Sequence, residues 1–120
     1  MVEPDPGRCD VREVLNRIGD KWTVLVIALL ADGPRRFNEL RRLAHGITQR
    51  MLSVTLRALQ RDGLVTRTVT PTVPPRVDYA LTDAGQSLAG VVAEVLRWAE
   101  DHRRYIHEAR SAYDRAAGSG

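Results

Sequence analysis

The chain has 120 residues, a single cysteine and a formal net charge of +3. That length fits one domain able to bury a core without disulfides or metal, and a lone Cys9 excludes an intramolecular disulfide framework and suits a reducing compartment. The opening Met1-Val2-Glu3-Pro4-Asp5-Pro6 has neither a basic start nor an apolar run, and the longest apolar stretch, Trp22 to Ala31, is about half a membrane span, so a soluble cytoplasmic protein without a membrane partner is expected.

Asp10 and Glu13 have capping-box spacing and open a first helix through about Ile18, which Gly19-Asp20 breaks. A second helix, Lys21 through Ala31, is nearly all apolar and should form the buried centre, with Asp32-Gly33-Pro34 ending it. Phe37, Leu40 and Leu43 mark a third, short helix, and His45-Gly46 makes a turn. Thr48 then caps a fourth helix that runs to Asp62 and stops at Gly63, so the third and fourth helices read as a helix-turn-helix unit.

Two runs of period two follow. Val65 and Val69 alternate with Thr66, Thr68 and Thr70, and Val77, Tyr79 and Leu81 alternate with Arg76, Asp78 and Ala80, which predicts two strands. Pro71-Thr72-Val73-Pro74-Pro75 between them must be a hairpin tip, because proline cannot donate to a ladder. Thr82-Asp83 caps a last helix predicted to run to about Arg110, with Leu88, Val91, Val92, Val95, Ala99, His102, Ile106 and Ala109 in one stripe. At about 42 Å this helix outreaches a compact domain of this length, about 35 Å across, so its stripe calls for a partner. Val92, Val95, Ala99 and Ile106 are the expected dimer contacts. The expected fold is mainly α with a small β-hairpin (α+β), a winged helix-turn-helix that dimerises through its N- and C-terminal helices. The domain is placed at 9–110, with 1–8 and 111–120 as flexible ends.

Charge is distributed unevenly. Between Arg35 and Arg76 nine arginines face only Glu39 and Asp62, a balance of +7 that leaves −4 for the rest of the chain. A G+C-rich genome would favour arginine over lysine throughout, yet it would not cluster the arginines. One basic third on an otherwise acidic protein is the footprint of a polyanion binder. Projected at 100° per residue, the fourth helix gathers Met51, Leu52, Thr55, Leu56 and Leu59 on one face. Arg50, Ser53, Val54, Arg57 and Arg61 gather opposite, with Gln49 at the edge. The first set packs inward; the second offers donors to base edges and phosphates in a major groove. Together with Arg36 and Thr48 before the helix, and with Arg67 and Arg76 on the hairpin, these residues form the expected DNA-binding surface. The competing reading is a winged helix used for protein assembly, which has no need of a basic recognition face.

Other chemistry finds no support. His45, His102 and His107 lack metal-ligand spacing. No nucleophile elbow, phosphate-cradling glycine loop or dinucleotide fingerprint is present, so neither an enzyme nor a cofactor is expected.

In chain order, Cys9, Gly19-Asp20-Lys21-Trp22-Thr23, Gly33-Pro34-Arg35-Arg36-Phe37-Asn38-Glu39-Leu40-Arg41 and Gly46-Ile47-Thr48-Gln49-Arg50-Met51-Leu52 lead into Leu56-Arg57-Ala58-Leu59 and Asp62-Gly63-Leu64-Val65. Pro74-Pro75-Arg76-Val77-Asp78-Tyr79 and Leu81-Thr82 complete the pattern, which closely resembles the HxlR-type regulators, relatives of the MarR group, over about residues 9 to 102. Asp78 departs from it, where Glu is more usual. The resemblance implies a homodimer, joined by its terminal helices, that binds an inverted repeat in double-stranded DNA and controls transcription. Repression is expected rather than activation, with the protein on the nucleoid when bound to DNA. It also implies sensing of oxidants or electrophiles, a small reactive effector, through Cys9. In this chain Arg8 and the helix start favour its thiolate, while the adjacent Asp10 opposes it.

Overall fold

Asp20 organises the centre of the molecule. Its carboxylate accepts the backbone N–H groups of Trp22 (2.9 Å) and Thr23 (3.4 Å), satisfying two donors that a helix start leaves orphaned. In the computed structural model, which describes residues 11–119, this cap separates α1 (Val11–Gly19) from α2 (Lys21–Leu30). The expected cap at Asp10 lies outside the described residues. α2 ends one residue earlier than expected, with Ala31 as its C-cap.

The rest of the chain builds around α2. A two-residue strand β1 (Arg35–Arg36) leads into α3 (Phe37–Leu43), followed by α4 (Gln49–Arg61), β2 (Val65–Thr70), β3 (Arg76–Leu81) and α5 (Asp83–Ser119). Thr48 caps α4 through its hydroxyl, which accepts the Met51 N–H at 3.1 Å. Val26, Ile27 and Leu30 of α2 meet Leu40 of α3, Leu52, Leu56 and Leu59 of α4, and Val92 of α5 in one aliphatic core. α4 thus buries the apolar face expected of it, apart from a half-buried Met51, and its polar face stays out of the core.

The wing is a three-stranded antiparallel sheet in the order β1-β3-β2 rather than a two-stranded ribbon. Thr70 pairs with Arg76 beside the tip and Val65 with Leu81 at the base. On the other edge Arg35 pairs with Tyr79 and Arg36 with Asp78. Two residues are too few to show an alternation, so β1 carried no periodic signal. The base of the wing is locked to α5 by Thr82: its hydroxyl donates to the Gly63 carbonyl (2.7 Å) and accepts the Gly85 N–H (3.1 Å).

α5 departs most from expectation. It has 37 residues and passes Arg110 without a break, as far as Ser119. The apolar stripe fades near Ala109, but Ala112, Arg115, Ala116 and Ala117 are strong helix formers and carry the helix on. A rod of about 55 Å gives the chain extents of 65 × 42 × 25 Å and a radius of gyration of 18.3 Å, against about 13.6 Å for a compact domain of this length.

The stripe itself is divided. Val92, an expected dimer contact, is only 2% exposed and belongs to the chain's own core, where α5 crosses α2, so it is not free to meet a partner. Val95 and Ala99 are exposed and Ile106 is half-buried.

Candidate nucleic-acid interface

α4 presents its polar face to solvent because the four buried positions on the opposite side anchor it. Arg50, Arg57 and Arg61 recur at seven- and four-residue steps, so they project within about 40° of one another along a single stripe. Arg50 and Arg61 are separated along the axis by about 16 Å. Gln49 is exposed at the start, and Ser53 is half-buried on the flank facing the wing. Val54 stands among the arginines and is 56% exposed, a methyl-rich surface suited to contact with thymine.

The basic stretch keeps most of its charge available. Arg35 is held within the fold: its Nε donates to the Leu29 carbonyl at 2.7 Å and its guanidinium lies 3.9 Å from Glu39. Arg76 pairs with Asp78 at 3.0 Å. The other seven, Arg36, Arg41, Arg42, Arg50, Arg57, Arg61 and Arg67, are all exposed and form no ion pair among the described residues. Seven uncompensated guanidinium groups on a small domain repel one another, a cost to folding that an approaching polyanion removes.

The expected contact residues fall into separate groups. Ser53, Arg57 and Arg67 share a cleft of about 320 Å³ between α4 and the wing, completed by Leu56, Gln60 and Tyr79. Arg67 and Tyr79 are directly opposed across β2 and β3, which sets both side chains on the same face of the sheet. Thr48, Gln49 and Arg50 gather at the N-terminus of α4. Arg36 lies on β1, separated from β2 by β3, and its N–H donates to Glu39 Oε1 (3.2 Å) to start α3. Arg76 lies about 10 Å from Tyr79 toward the tip, its charge shared with Asp78. Cys9 lies outside the described residues.

Gln60 and Tyr79 were not singled out in the sequence. Gln60 follows Ser53 by seven residues, so the helical projection that found Ser53 also reaches it. Tyr79 was read only as one beat of a strand, and its place in the cleft depends on a pairing register that the sequence does not display. Among the described residues no group of three or more His, Cys, Asp or Glu could hold a metal ion. No described helix is long and apolar enough to cross a membrane.

A helix-turn-helix whose second helix carries an unpaired arginine stripe, flanked by a small antiparallel wing, defines a winged helix-turn-helix transcriptional regulator. The chain belongs to the HxlR-like helix-turn-helix family, whose model matches residues 17–107. It is 41% identical over 110 residues, 92% of this chain and 88% of the relative, to the HTH-type transcriptional regulator YybR of Bacillus subtilis (strain 168). Among solved structures it resembles the transcriptional regulator ytfH from Salmonella typhimurium, with a TM-score of 0.79 and 37% identity, covering 88% of this chain and 94% of that one. It also resembles the redox regulator HypR. The reduced form gives a TM-score of 0.77 at 42% identity over 82% of this chain and 97% of that one, and the oxidised form 0.71 at 44% over 78% and 96%.

Proposed function

We propose that this regulator works as a homodimer that reads an inverted-repeat operator, with one α4 in each of two successive major grooves and the wings on the flanking backbone. The observation that carries the reading is the stripe Arg50–Arg57–Arg61, exposed and unpaired, on a helix anchored by its opposite face. An assembly module gains nothing from such a stripe and suffers its self-repulsion.

Dimerisation is supported by apolar surface that a single chain leaves wet. Val11, Val14 and Leu15 share a face of α1 and are all exposed, while α5 exposes Val91, Val95, Leu96 and Trp98. Apolar area on this scale costs free energy in water, about 25 cal/mol per Å², and contiguous patches of it mark interfaces. Two-fold symmetry would set the recognition helices about 34 Å apart, one turn of the duplex. A dimer spread over about two turns of a promoter excludes polymerase by occupancy alone, which favours repression.

Regulation through Cys9 is the second part of the reading. HypR, at 42% identity, is a redox regulator with reduced and oxidised forms. This chain has one cysteine, two residues before α1. The effector class is an oxidant or a soft electrophile acting on the thiolate.

The test is a gel shift on DNA flanking the coding gene, with and without diamide, for the parent and Cys9→Ser. The parent should bind an inverted repeat and change affinity at least several-fold on oxidation, reversibly with thiol, while Cys9→Ser binds and ignores diamide. Absence of any shifted site would reject the operator reading; equal affinity of fully modified and reduced parent would reject only the role of Cys9.

A further inference from the structure

The cleft between α4 and the wing has a composition that the fold does not explain. Its polar lining is Ser53, Arg57, Gln60, Arg67 and Tyr79, with Leu56 at the apolar side and no carboxylate. Among the described residues none of these five polar side chains takes part in a hydrogen bond or ion pair. Arg35, Arg76 and Arg17 are answered by Glu39, Asp78 and Asp62, whereas Arg57 and Arg67 have no acid and, unlike the other exposed arginines of the basic stretch, face each other across one cleft. Two guanidiniums, a hydroxyl, an amide and a phenol thus converge on about 320 Å³ of open space without an acceptor.

We infer that this cleft seats a single backbone phosphate of the bound duplex, gripped from one side by Arg57 of the recognition helix and from the other by Arg67 of the wing. The inference rests on the DNA-binding reading above and adds a specific site to it. Guanidinium forks match the oxygens of a phosphodiester in bidentate fashion, and Ser53 and Gln60 supply neutral donors for the remaining oxygen lone pairs. Topology selects the phosphate over a base. With α4 in a major groove and the wing across the neighbouring backbone, the strand that separates the two grooves runs under their junction, and it presents phosphates there while base edges stay recessed. Because its two cations come from different elements, the seat also fixes the wing relative to α4, so groove reading and wing contact are set in one register.

The experiment compares the full chain with Arg57→Gln, Arg67→Gln and the double variant on an operator duplex of roughly two helical turns, measuring affinity against salt. It then repeats binding with single phosphates replaced by neutral methylphosphonates. One shared phosphate per protomer predicts that the double variant lowers the salt slope of the dimer by about 2, about 1 from each protomer, whereas two separate phosphates per protomer would lower it by about 4. It also predicts one methylphosphonate position in each half-site that weakens the parent about tenfold and leaves the double variant unaffected. A slope loss near four for the dimer, two distinct sensitive positions within one half-site, or variant slopes equal to the parent's would each overturn the seat while leaving DNA binding intact. A parent with no salt-dependent duplex binding would overturn both readings. Inorganic phosphate, followed at the Arg57 and Arg67 Nε signals by NMR, should shift them only weakly and without saturation. Saturation at submillimolar phosphate would identify a site for a small free anion instead.

Discussion

Gly85 stands against the carbonyl oxygen of Leu64 so closely that a Cβ at this position would overlap the oxygen, and Leu81 would crowd it from another side at 3.1 Å. The same carbonyl accepts the Thr82 N–H at 3.0 Å, so the turn after α4 and the first turn of α5 are pressed together at the base of the wing. The junction lies where the chain passes from the recognition helix into the wing and from the wing into α5.

Gly85→Ala should therefore destabilise the protein, although alanine is the better helix former by about 1 kcal/mol. The obstacle is backbone, which cannot swing away, and overpacking of this kind costs roughly 1–3 kcal/mol. At about 4 °C per kcal/mol the melting temperature should fall by roughly 4–12 °C. Gly90 lies in the same helix with nothing within 4 Å of an added Cβ, so Gly90→Ala should raise it. Thermal unfolding of the two variants decides the matter; equal and positive shifts would mean that the Leu64 contact is slack.

Gly85 also marks where the sequence stops being informative. Helices α1, α2, α3 and α4 are legible because local signals agree: Gly19-Asp20 breaks, Thr48 caps, Gly63 stops, and apolar residues recur at helical spacing. The hairpin is legible from alternation and from the prolines at its tip. What the sequence conceals are the relations between elements. The pairing of Arg35 with Tyr79 creates β1 from two residues with no pattern of their own, and the crossing of α5 over α2 turns Val92 from an outward position into core. The stripe on this long helix is divided: Val92 packs into the chain's own core, while Val95 and Ala99 stay exposed. The candidate site divides the same way: the arginine stripe of α4, and Gln60 beside Ser53, follow from a projection, whereas the place of Tyr79 in the cleft follows only from the sheet's register.

For the recognition helix, Arg50→Ala should weaken operator binding by roughly 1–3 kcal/mol and relax specificity, while Arg57→Ala, which loses a phosphate contact, should weaken operator and scrambled duplex alike, with circular dichroism unchanged because both side chains are exposed and outside the core. Val54→Ala should have a smaller effect confined to operators with a thymine at the contacted position. Titration of each variant against the operator and a scrambled duplex separates these cases. Parent-like binding by both arginine variants would show that α4 is not the reading element.

For assembly, Val95→Asp and Leu15→Asp each place a carboxylate on the exposed apolar faces of α5 and α1, where a partner would have to bury it unpaired, at several kcal/mol. Sedimentation should show a dimeric parent at micromolar concentration and monomeric or aggregated variants. In the isolated chain both positions are exposed, so helix content should persist in any monomer. Dimers of normal affinity from both variants would move the interface elsewhere.

The last prediction concerns an ion pair between α1 and the C-cap of the recognition helix. Arg17 Nε lies 2.8 Å from Asp62 Oδ2, and Asp62 is the C-cap of α4. Both side chains are 36% exposed, so a double-mutant cycle with Arg17→Ala and Asp62→Ala should give a coupling of only about 0.2–1 kcal/mol, shrinking as salt rises. Its value lies in position. α1 begins two residues after Cys9 and ends beside this contact, so under the proposed role of Cys9 a shift of α1 on thiol modification would reach the end of α4 through Arg17. Arg17→Ala should then bind the operator within a few-fold of the parent in the reduced state and lose most of the diamide response. Asp62→Asn, which keeps the shape but removes the charge, should behave alike. A full response in both variants would mean that the signal travels through the dimer contacts of α1 and α5 instead.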